Sequence, residues 1–311
     1  MIRQHAIDGR TLVAAVFGDP VEHSLSPAMH NAAYRALGMN RLYVALHVRA
    51  GDLEKAIRAI PALGLIGVNL TAPHKERAAE IVGRSSREAQ MLGALNCIVN
   101  RNGRLYGDNT DARGLESDLR RLGVRVRGGV AVVIGAGGGG AAAVLACARL
   151  GAKQIVIANR TTARARSLAR RFARLGIGGG RITPRGLDAL TDARVLGSAQ
   201  LVINATPMGL VTRRFAPLTC ELTPARCFFY DMVYARTPTP FLRPALQAGR
   251  RCADGAGMLA AQGELAFRLF NGIAPPRGVM QAALSRALGR RSRAGPSRGE
   301  LQALSTGGEP Q

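Results

Sequence analysis

A glycine-rich segment that directly follows an apolar run is the strongest chemical signal in this sequence. Residues 130–134 are all apolar, and Gly135, Gly137 and Gly140 follow at the spacing of a G-x-G-x-x-G turn. The first glycine permits a tight turn, the second lets the backbone approach a pyrophosphate, and the third lets a helix pack closely on the strand. Residues 130–148 carry no charge and are long enough to raise the possibility of a membrane span, but four consecutive glycines favour a strand, a turn and a helix. The segment therefore predicts a dinucleotide-binding turn, with the phosphates at the helix N-terminus.

The end of the next apolar run indicates which dinucleotide would bind. An NAD site usually carries Asp or Glu at this point, where the carboxylate binds the ribose 2′-hydroxyl. Here residues 154–158 are followed by Asn159, Arg160 and Thr161, with Arg164 one turn later. A guanidinium suits a 2′-phosphate, so the pattern predicts NADP and therefore hydride chemistry.

Polar residues also cluster in the first 111 residues, close to the ends of apolar runs. Carboxyl ends of strands are where α/β sheets hold ligands. Amides and hydroxyls suit ring hydroxyls, and serines at a helix start suit a carboxylate, so the set predicts a small polyhydroxylated acid as ligand. The residues concerned are Ser24, Ser26, Asn69, Thr71, Lys75, Asn96 and the segment 108–111.

Lys75 stands out because the chain otherwise prefers arginine, which does not give up its proton in proteins. A lysine can take part in proton transfer, and a paired Asp111 would orient its ammonium. A simpler interpretation stays open for each segment. Thr71 would then only cap a helix with Lys75 solvated beside it, and residues 108–111 would only cap the next helix.

The apolar pattern around these residues predicts alternating strands and helices, and so an α/β protein. Ser26 is the expected N-cap of the first helix, with Pro27 at its first position. Asn102 and Gly103 predict a hairpin turn. Residues 176–180 are expected to form a flexible loop, and the tail from about residue 289 is expected to be disordered. The predicted strands are 12–17, 42–48, 65–70, 96–99, 105–106, 130–134, 154–158, 201–204 and 228–231, and the predicted helices are 26–37, 52–60, one from about 73, 111–122 and 257–270.

Composition narrows the function classes. The net charge of +23 invites a nucleic-acid interpretation, but no binding motif is visible and aromatic residues make up only 4% of the chain, so a specific nucleic-acid partner is not expected. The histidines lack metal-ligand spacing, and no metal site is expected. The five cysteines form no C-x-x-C pair, and no signal peptide or membrane anchor is apparent. These features predict a reduced, cytoplasmic protein.

Taken together, these segments resemble those of the shikimate dehydrogenases and their quinate/shikimate relatives. The resemblance covers roughly residues 12–285, in order and at the family's spacing. The segments that carry it are 24–27, 69–75, 94–96, 107–111, 135–138, 159–161, 204–206, 231–234 and 253–262.

The resemblance implies an oxidoreductase of aromatic amino acid biosynthesis that reversibly reduces 3-dehydroshikimate to shikimate with NADPH. It implies two α/β domains with a cleft between them, the second of the Rossmann type. Residues 1–111 and 254–288 would bind the substrate, residues 112–253 would bind NADP, and 289–311 would form the tail. A monomer or a homodimer is expected.

The resemblance also implies a role for each matching residue. Lys75 and Asp111 would form the catalytic pair, and Ser24 and Ser26 would bind the substrate carboxylate. The other expected substrate ligands are Asn69, Thr71, Asn96, Asp111, Tyr234 and Gln262. The expected cofactor ligands are Gly135, Ala136, Gly137, Gly138 and Gly139 at the pyrophosphate, Asn159, Arg160, Thr161 and Arg164 at the 2′-phosphate, and Thr206, Met208, Met232, Gly255 and Met258 towards the nicotinamide.

Three alternatives stay open at this point. One is a quinate/shikimate dehydrogenase of quinate catabolism, although the paired serines favour shikimate. A second is a non-catalytic NADP-binding regulator on the same fold, against which the presence of both Lys75 and Asp111 argues. The third is an arginine-rich nucleic-acid-binding protein.

Overall fold

The computed structural model describes residues 7–177, 181–209 and 215–290. The described strands are β1 (Leu12–Gly18), β2 (Arg41–His47), β3 (Gly67–Leu70), β4 (Cys97–Arg101), β5 (Arg104–Asp108), β6 (Val130–Ile134), β7 (Gln154–Ala158), β8 (Arg181–Arg185), β9 (Ala199–Asn204), β10 (Phe228–Asp231) and β11 (Arg251–Asp254). The described helices are α1 (Ser26–Ala36), α2 (Leu53–Ala59), α3 (Lys75–Ile81), α4 (Arg87–Leu92), α5 (Asp111–Arg121), α6 (Gly138–Arg149), α7 (Thr162–Arg174), α8 (Ala193–Leu196), α9 (Leu242–Gln247), α10 (Ala256–Asn271) and α11 (Val279–Ala287).

Every predicted strand is present, but β8 and β11 were not expected. Both lie at the edges of one sheet and begin with an exposed arginine, so neither has the continuous apolar run of a buried strand. The short helices α4, α8 and α9, and α11 near the end, were not predicted either. The hairpin turn at Asn102 and Gly103 is confirmed, since both residues have positive φ.

The predicted N-cap at Ser26 is wrong. Leu25 occupies the N-cap position without a side-chain cap, and Ser26 is the first residue of α1. The Ser24 hydroxyl accepts a hydrogen bond from the Ser26 backbone N–H at 3.4 Å, so a different serine partners this helix start. Pro27 lies in the first turn, as expected.

The contacts divide the chain into two compact units. Of the described residues, the first unit comprises residues 7–119 together with Gly257–Ala287, and the second comprises residues 120–177, 181–209, 215–256 and 288–290. The division falls near the end of α5 rather than at Asp111, because α5 packs directly against α10 of the same unit: a Cβ placed on Gly114 would lie 2.7 Å from the Cβ of Gln262.

The first unit contains a five-stranded mixed sheet in the order β2-β1-β3-β4-β5. β1 runs parallel to β2 and to β3, whereas β4 is antiparallel to both β3 and β5. This reversal matters for the chemistry, since the start of β4 lies beside the ends of β3 and β5.

The second unit contains a six-stranded parallel sheet in the order β11-β10-β9-β6-β7-β8. Counted from β6, this is the 3-2-1-4-5-6 order of the Rossmann fold, in which ligands bind beyond the carboxyl ends of the strands where the order reverses. The strands β6, β7, β9 and β10 are almost fully buried, as strands covered on both faces must be. The predicted α/β class with a Rossmann-type second part is confirmed.

Among the described residues, no helix is both long and apolar enough to cross a membrane. Residues 178–180 of the predicted flexible loop and residues 291–311 of the predicted disordered tail lie outside the described residues.

The close approach of α5 to α10 generates a stability prediction. We expect Gly114→Ala to lower the free energy of unfolding, because the new Cβ meets both the Cβ and, at 3.0 Å, the backbone nitrogen of Gln262. Overpacking of this kind costs about 1–3 kcal/mol, which outweighs the gain of about 1 kcal/mol that alanine brings to a helix interior. Urea unfolding of the two proteins measures the difference.

Gly83→Ala is the matched control, because a Cβ there would meet no atom within 4 Å. Its stability should be unchanged, or raised by about 1 kcal/mol at most. A Gly114→Ala protein as stable as the wild type would contradict the packing of α5 on α10.

Candidate active site

Strand register in the first unit brings distant polar residues to one edge of the sheet. Asn69 near the end of β3 pairs with Cys97 at the start of β4, and Cys97 pairs with Asp108 at the end of β5. Asn96 therefore lies between the ends of β3 and β5, where the chain also enters α5 at Asp111. Four of the predicted polar groups, Asn69, Lys75, Asn96 and the segment 108–111, therefore meet at this edge.

Lys75 and Asp111 form an ion pair at this edge. Lys75 is the first residue of α3 and Asp111 the first of α5, and Lys75 Nζ lies 2.6 Å from Asp111 Oδ2. The Lys75 side chain is 25% exposed and the Asp111 side chain 5% exposed, so a largely buried carboxylate holds an ammonium that still reaches solvent. The pairing contradicts the interpretation of Lys75 as a solvated first-turn residue. Thr71 does not cap α3 either, because His74 occupies its N-cap position and no side chain caps it.

The Asn96 side chain is the centre of the buried hydrogen-bond network. Its amide Nδ2 donates to Asp111 Oδ1 at 2.8 Å and to Thr110 Oγ1 at 2.9 Å, and lies 3.3 Å from Gln262 Oε1. Its Oδ1 accepts from the Thr110 backbone N–H at 2.8 Å. Asp111 is therefore bonded on both carboxylate oxygens, and Gln262 of α10 is linked to the same group.

A second branch of the network reaches β2 and α1. Tyr43 donates its hydroxyl to Asn69 Oδ1 at 2.8 Å, and Asn69 donates to the Asn96 carbonyl at 3.0 Å. Burial raises the pKa of Tyr43 well above its ordinary value, so the hydroxyl stays protonated and remains a donor, and Ser26 also hydrogen-bonds to this side chain. Tyr43 was not among the predicted site residues, because its only signal in the sequence is its place in an apolar strand.

The start of α5 is fixed by its own cluster of polar groups. Asp108 Oδ1 accepts from Ser86 Oγ and from the Asn109 backbone N–H, while its Oδ2 accepts from Arg113 at 2.8 Å. Asn109 Oδ1 caps the helix by accepting from the Asp111 N–H at 3.0 Å. The interpretation that residues 108–111 cap the next helix is therefore correct. Capping is not their only role, because Asp111 also pairs with Lys75.

The remaining substrate ligands predicted in the first unit lie at helix and strand ends. Ser24 is half-buried just before α1. Thr71 follows β3, where its backbone N–H donates to Phe17 of β1 and its Cγ2 closes over Gly18. Met258, which is expected to be a cofactor ligand, also belongs to the first unit, where it is buried in α10.

The glycine turn in the second unit has the tight turn and the close helix packing of a dinucleotide-binding turn. Gly135 has a φ of +114°, which favours glycine, and a Cβ on Gly140 would lie 2.2 Å from the Gly135 carbonyl oxygen. Gly137 is the N-cap of α6, whose first turn at Gly138 and Gly139 contains no acidic residue. Together with Ala136, these residues leave the backbone N–H groups at the N-terminus of α6 open to an anionic ligand, because no carboxylate of the first turn occupies them.

Two other predicted cofactor ligands, Thr206 and Met232, border this turn. A Cβ placed on Gly135 would contact Thr206, and a Cβ placed on Gly139 would lie 3.5 Å from the Met232 side chain. Gly255 lies against the Met232 backbone. Met208 packs partly into the core of the unit. Tyr234, which is expected to be a substrate ligand, is half-buried in the segment after β10.

The end of β7 carries basic and amide groups and no acid. Asn159 donates from its side chain to the Thr161 carbonyl at 2.9 Å, and Thr161 is the N-cap of α7. Arg160 and Arg164 are exposed, and the first turn of α7 contains no acidic residue. Residues 159–164 therefore lack an NAD-type carboxylate, and the groups present fit a 2′-phosphate.

Among the described residues, no group of three or more His, Cys, Asp or Glu side chains is placed to hold a metal ion.

Three family models match the chain in consecutive segments. The model described as the shikimate dehydrogenase substrate binding domain matches residues 16–98. The shikimate/quinate 5-dehydrogenase model matches residues 120–207, and the model of the shikimate 5′-dehydrogenase C-terminal domain matches residues 255–284.

Relatives in other organisms match over almost their whole length. The NADP⁺ shikimate dehydrogenase of Citrifermentans bemidjiense is 42% identical over 284 residues, which cover 91% of this chain and 97% of the relative. The Thermus thermophilus shikimate 5-dehydrogenase, solved with NADP(H) and shikimate, is 39% identical with a TM-score of 0.78 and coverages of 89% and 99%. The Listeria monocytogenes enzyme, solved with shikimate and NAD, is 26% identical with a TM-score of 0.80 and coverages of 92% and 99%.

The site geometry, the consecutive family matches and the identity over nearly full-length relatives lead to one assignment. The chain belongs to the shikimate dehydrogenase family.

Proposed function

We propose that the chain catalyses the reversible, NADP-dependent reduction of 3-dehydroshikimate to shikimate, in the shikimate pathway of aromatic amino acid biosynthesis. The single observation that carries this proposal is the Lys75–Asp111 pair, held by Asn96 at a sheet edge that also presents amide and hydroxyl groups. The family of the chain supports the same reaction.

In this proposal each unit supplies most of the ligands of one of the two molecules, with Tyr234 of the second unit and Met258 of the first as the exceptions. The first unit binds the substrate, with Ser24 and Ser26 at the carboxylate. The second unit binds NADP, with the pyrophosphate at the glycine turn of residues 135–139 and the 2′-phosphate at Arg160. The open N-terminus of α6 and the lack of acid after β7 support this assignment. The other substrate ligands are Asn69, Thr71, Asn96, Asp111, Tyr234 and Gln262, and the other cofactor ligands are Asn159, Thr161, Arg164, Thr206, Met208, Met232, Gly255 and Met258.

The chemistry assigned to Lys75 follows from where charge develops. When bound, the nicotinamide ring of the cofactor supplies or accepts the hydride. During reduction the carbonyl oxygen of the substrate gains negative charge, and the Lys75 ammonium donates a hydrogen bond and then a proton to that oxygen. During oxidation the same amine receives the hydroxyl proton. Asp111 holds Lys75 in place and balances its charge, since Asn96 and the helix start fix the carboxylate.

The proposal also covers the cellular compartment and the partners of the protein, which we infer from its composition and from its free cysteines. All five cysteines are free, and four of them are buried, which suits a reducing cytoplasm. We assign the protein to that compartment as a monomer or homodimer, with a small-molecule substrate and no specific nucleic-acid partner.

The proposed reaction is tested by pairing each candidate substrate with each cofactor. We expect rapid formation of reduced nicotinamide, followed by its absorbance, with shikimate and NADP⁺. Slower turnover is expected when quinate replaces shikimate or NAD⁺ replaces NADP⁺, because Ser24 and Ser26 favour shikimate and Arg160 favours a 2′-phosphate.

Comparable or faster turnover with quinate would instead assign the chain to quinate catabolism. The absence of turnover with every pair, together with tight NADP⁺ binding, would overturn the proposed reaction and favour a binding role.

Arg160 provides a test of the cofactor assignment. We expect Arg160→Ala to raise the KM for NADP⁺ about tenfold or more while changing the KM for NAD⁺ little, because only NADP⁺ carries the phosphate that the guanidinium pairs with. Steady-state kinetics with both cofactors at saturating shikimate measure the two effects.

Arg170→Ala is the matched control. Arg170 is an exposed arginine further along the same helix α7, so its removal takes away one positive charge without reaching the helix start. Equal losses for NADP⁺ and NAD⁺ in Arg160→Ala would reject the 2′-phosphate assignment.

A further inference from the structure

Two segments of the second unit border the glycine turn from neighbouring strands. Residues 205–209 follow β9, and residues 232–240 follow β10. The Ala205 carbonyl oxygen would lie 3.1 Å from a Cβ on Gly135, and the Met232 side chain would lie 3.5 Å from one on Gly139. The positions of these two segments therefore set the shape of the surface beside the turn.

One carboxylate joins the two segments. Asp231, the last residue of β10, is 0% exposed. Its Oδ1 accepts from Asn204 Nδ2 at 2.8 Å and from the Val233 backbone N–H at 3.0 Å, and its Oδ2 accepts from the Thr239 hydroxyl. The proposed mechanism does not use this buried acid.

The bonds continue from Asp231 into both segments. On the β9 side, Asn204 Oδ1 accepts from the Thr206 N–H at 3.0 Å and from its hydroxyl at 2.7 Å, and Thr206 Oγ1 accepts from the Met208 N–H at 3.3 Å. On the β10 side, Thr239 Oγ1 accepts from the Leu242 N–H at 3.3 Å. A single chain of hydrogen bonds thus runs from residue 208 through Asp231 to the start of α9.

The neighbouring strands set the charges around Asp231. Asp254 of β11 lies opposite it in the strand register, and Arg290 pairs with Asp254 and also donates to the Ala235 carbonyl. Asn204 is the facing residue on β9 and does not titrate. Burial raises the pKa of Asp231 to about 6, with a smaller contribution from Asp254, although the three hydrogen bonds act in the opposite direction.

We propose that Asp231 is a positioning residue for the proposed reaction: its ionised carboxylate holds residues 205–209 and 232–240 against the glycine turn, and turnover depends on that charge. The inference rests on the proposed function, because it concerns the geometry of the same cofactor site.

Protonation of Asp231 changes the hydrogen bonding at one point. A carboxylate accepts all three donors, whereas a protonated acid must itself donate through one oxygen. With the proton on Oδ2, the Thr239 hydroxyl loses its acceptor, and the link to the segment before α9 weakens. Asp231→Asn reproduces this neutral state at every pH, since its amide oxygen keeps the Asn204 and Val233 bonds and its NH₂ group faces Thr239.

The test compares kcat of the wild type and of Asp231→Asn with shikimate and NADP⁺, both saturating, from pH 5 to pH 8. We expect the ratio of the two kcat values to be about tenfold above pH 7, since a hydrogen bond to a charged group is lost. It should fall towards one as the pH drops through about 6, where the wild-type carboxylate becomes protonated. Other titrating groups are common to both proteins and cancel in the ratio.

Three further variants make the outcome decisive if Asp231→Asn folds poorly. Thr239→Val removes the hydroxyl and should lower kcat at pH 7.5 by a similar factor, and Thr239→Ser should restore it. Glu221→Gln removes an exposed carboxylate of the same unit and should leave the kcat profile unchanged.

A ratio that stays constant across the pH range, or Thr239→Val activity equal to that of the wild type, would overturn the inference and leave the proposed function standing. A wild type without turnover would instead overturn the proposed function, and the inference with it.

Discussion

The ion pair between Lys75 and Asp111 is the interaction on which the rest of the first unit depends. A carboxylate as buried as that of Asp111 is costly unless both of its oxygens are bonded and its charge is paired. Lys75 meets one oxygen and the Asn96 amide the other, so the requirement is satisfied within the site. A lysine ammonium has three donors, and the bond to Asp111 uses one of them, which leaves donors for a substrate oxygen.

This pair needs the reversal of β4 in the sheet. Since β4 runs against its two neighbours, its first residues lie where β3 and β5 end, and Asn96 can reach Asp111 and Gln262 at once. In the second unit, a different strand arrangement also brings polar residues together at one edge of the sheet. There all strands are parallel, so Gly135, Asn159, Asn204 and Asp231 reach one edge without any reversal. Each sheet thereby concentrates its polar groups beyond strand ends and leaves its buried strands apolar.

The glycine turn, nine of the eleven described strands and the polar segments could be predicted from sequence because each is a local pattern. Contacts that depend on how the strands are ordered in the sheet could not be predicted from such patterns. Tyr43 gave no polar signal, since its role comes from a hydrogen bond to Asn69 that reaches from β2 past β1 to β3. Edge strands such as β8 have too few apolar residues to be recognised. Serine is a residue type that favours the N-cap, which is why Ser26 was predicted there, but Leu25 occupies that position. The role inferred for Asp231 depends on strand register, which single-strand patterns do not contain.

The central claim is that Lys75 and Asp111 act as one unit, and a double-mutant cycle tests it most directly. The measured quantity is kcat for shikimate oxidation by NADP⁺ in Lys75→Met, Asp111→Asn and the double variant, with the Kd for NADP⁺ as a check on folding. The account predicts that each single change lowers kcat by about 10²–10⁴-fold and that the double change lowers it no further than the more damaging single change. Losses that multiply in the double variant, or near-normal kcat in Lys75→Met, would contradict the account.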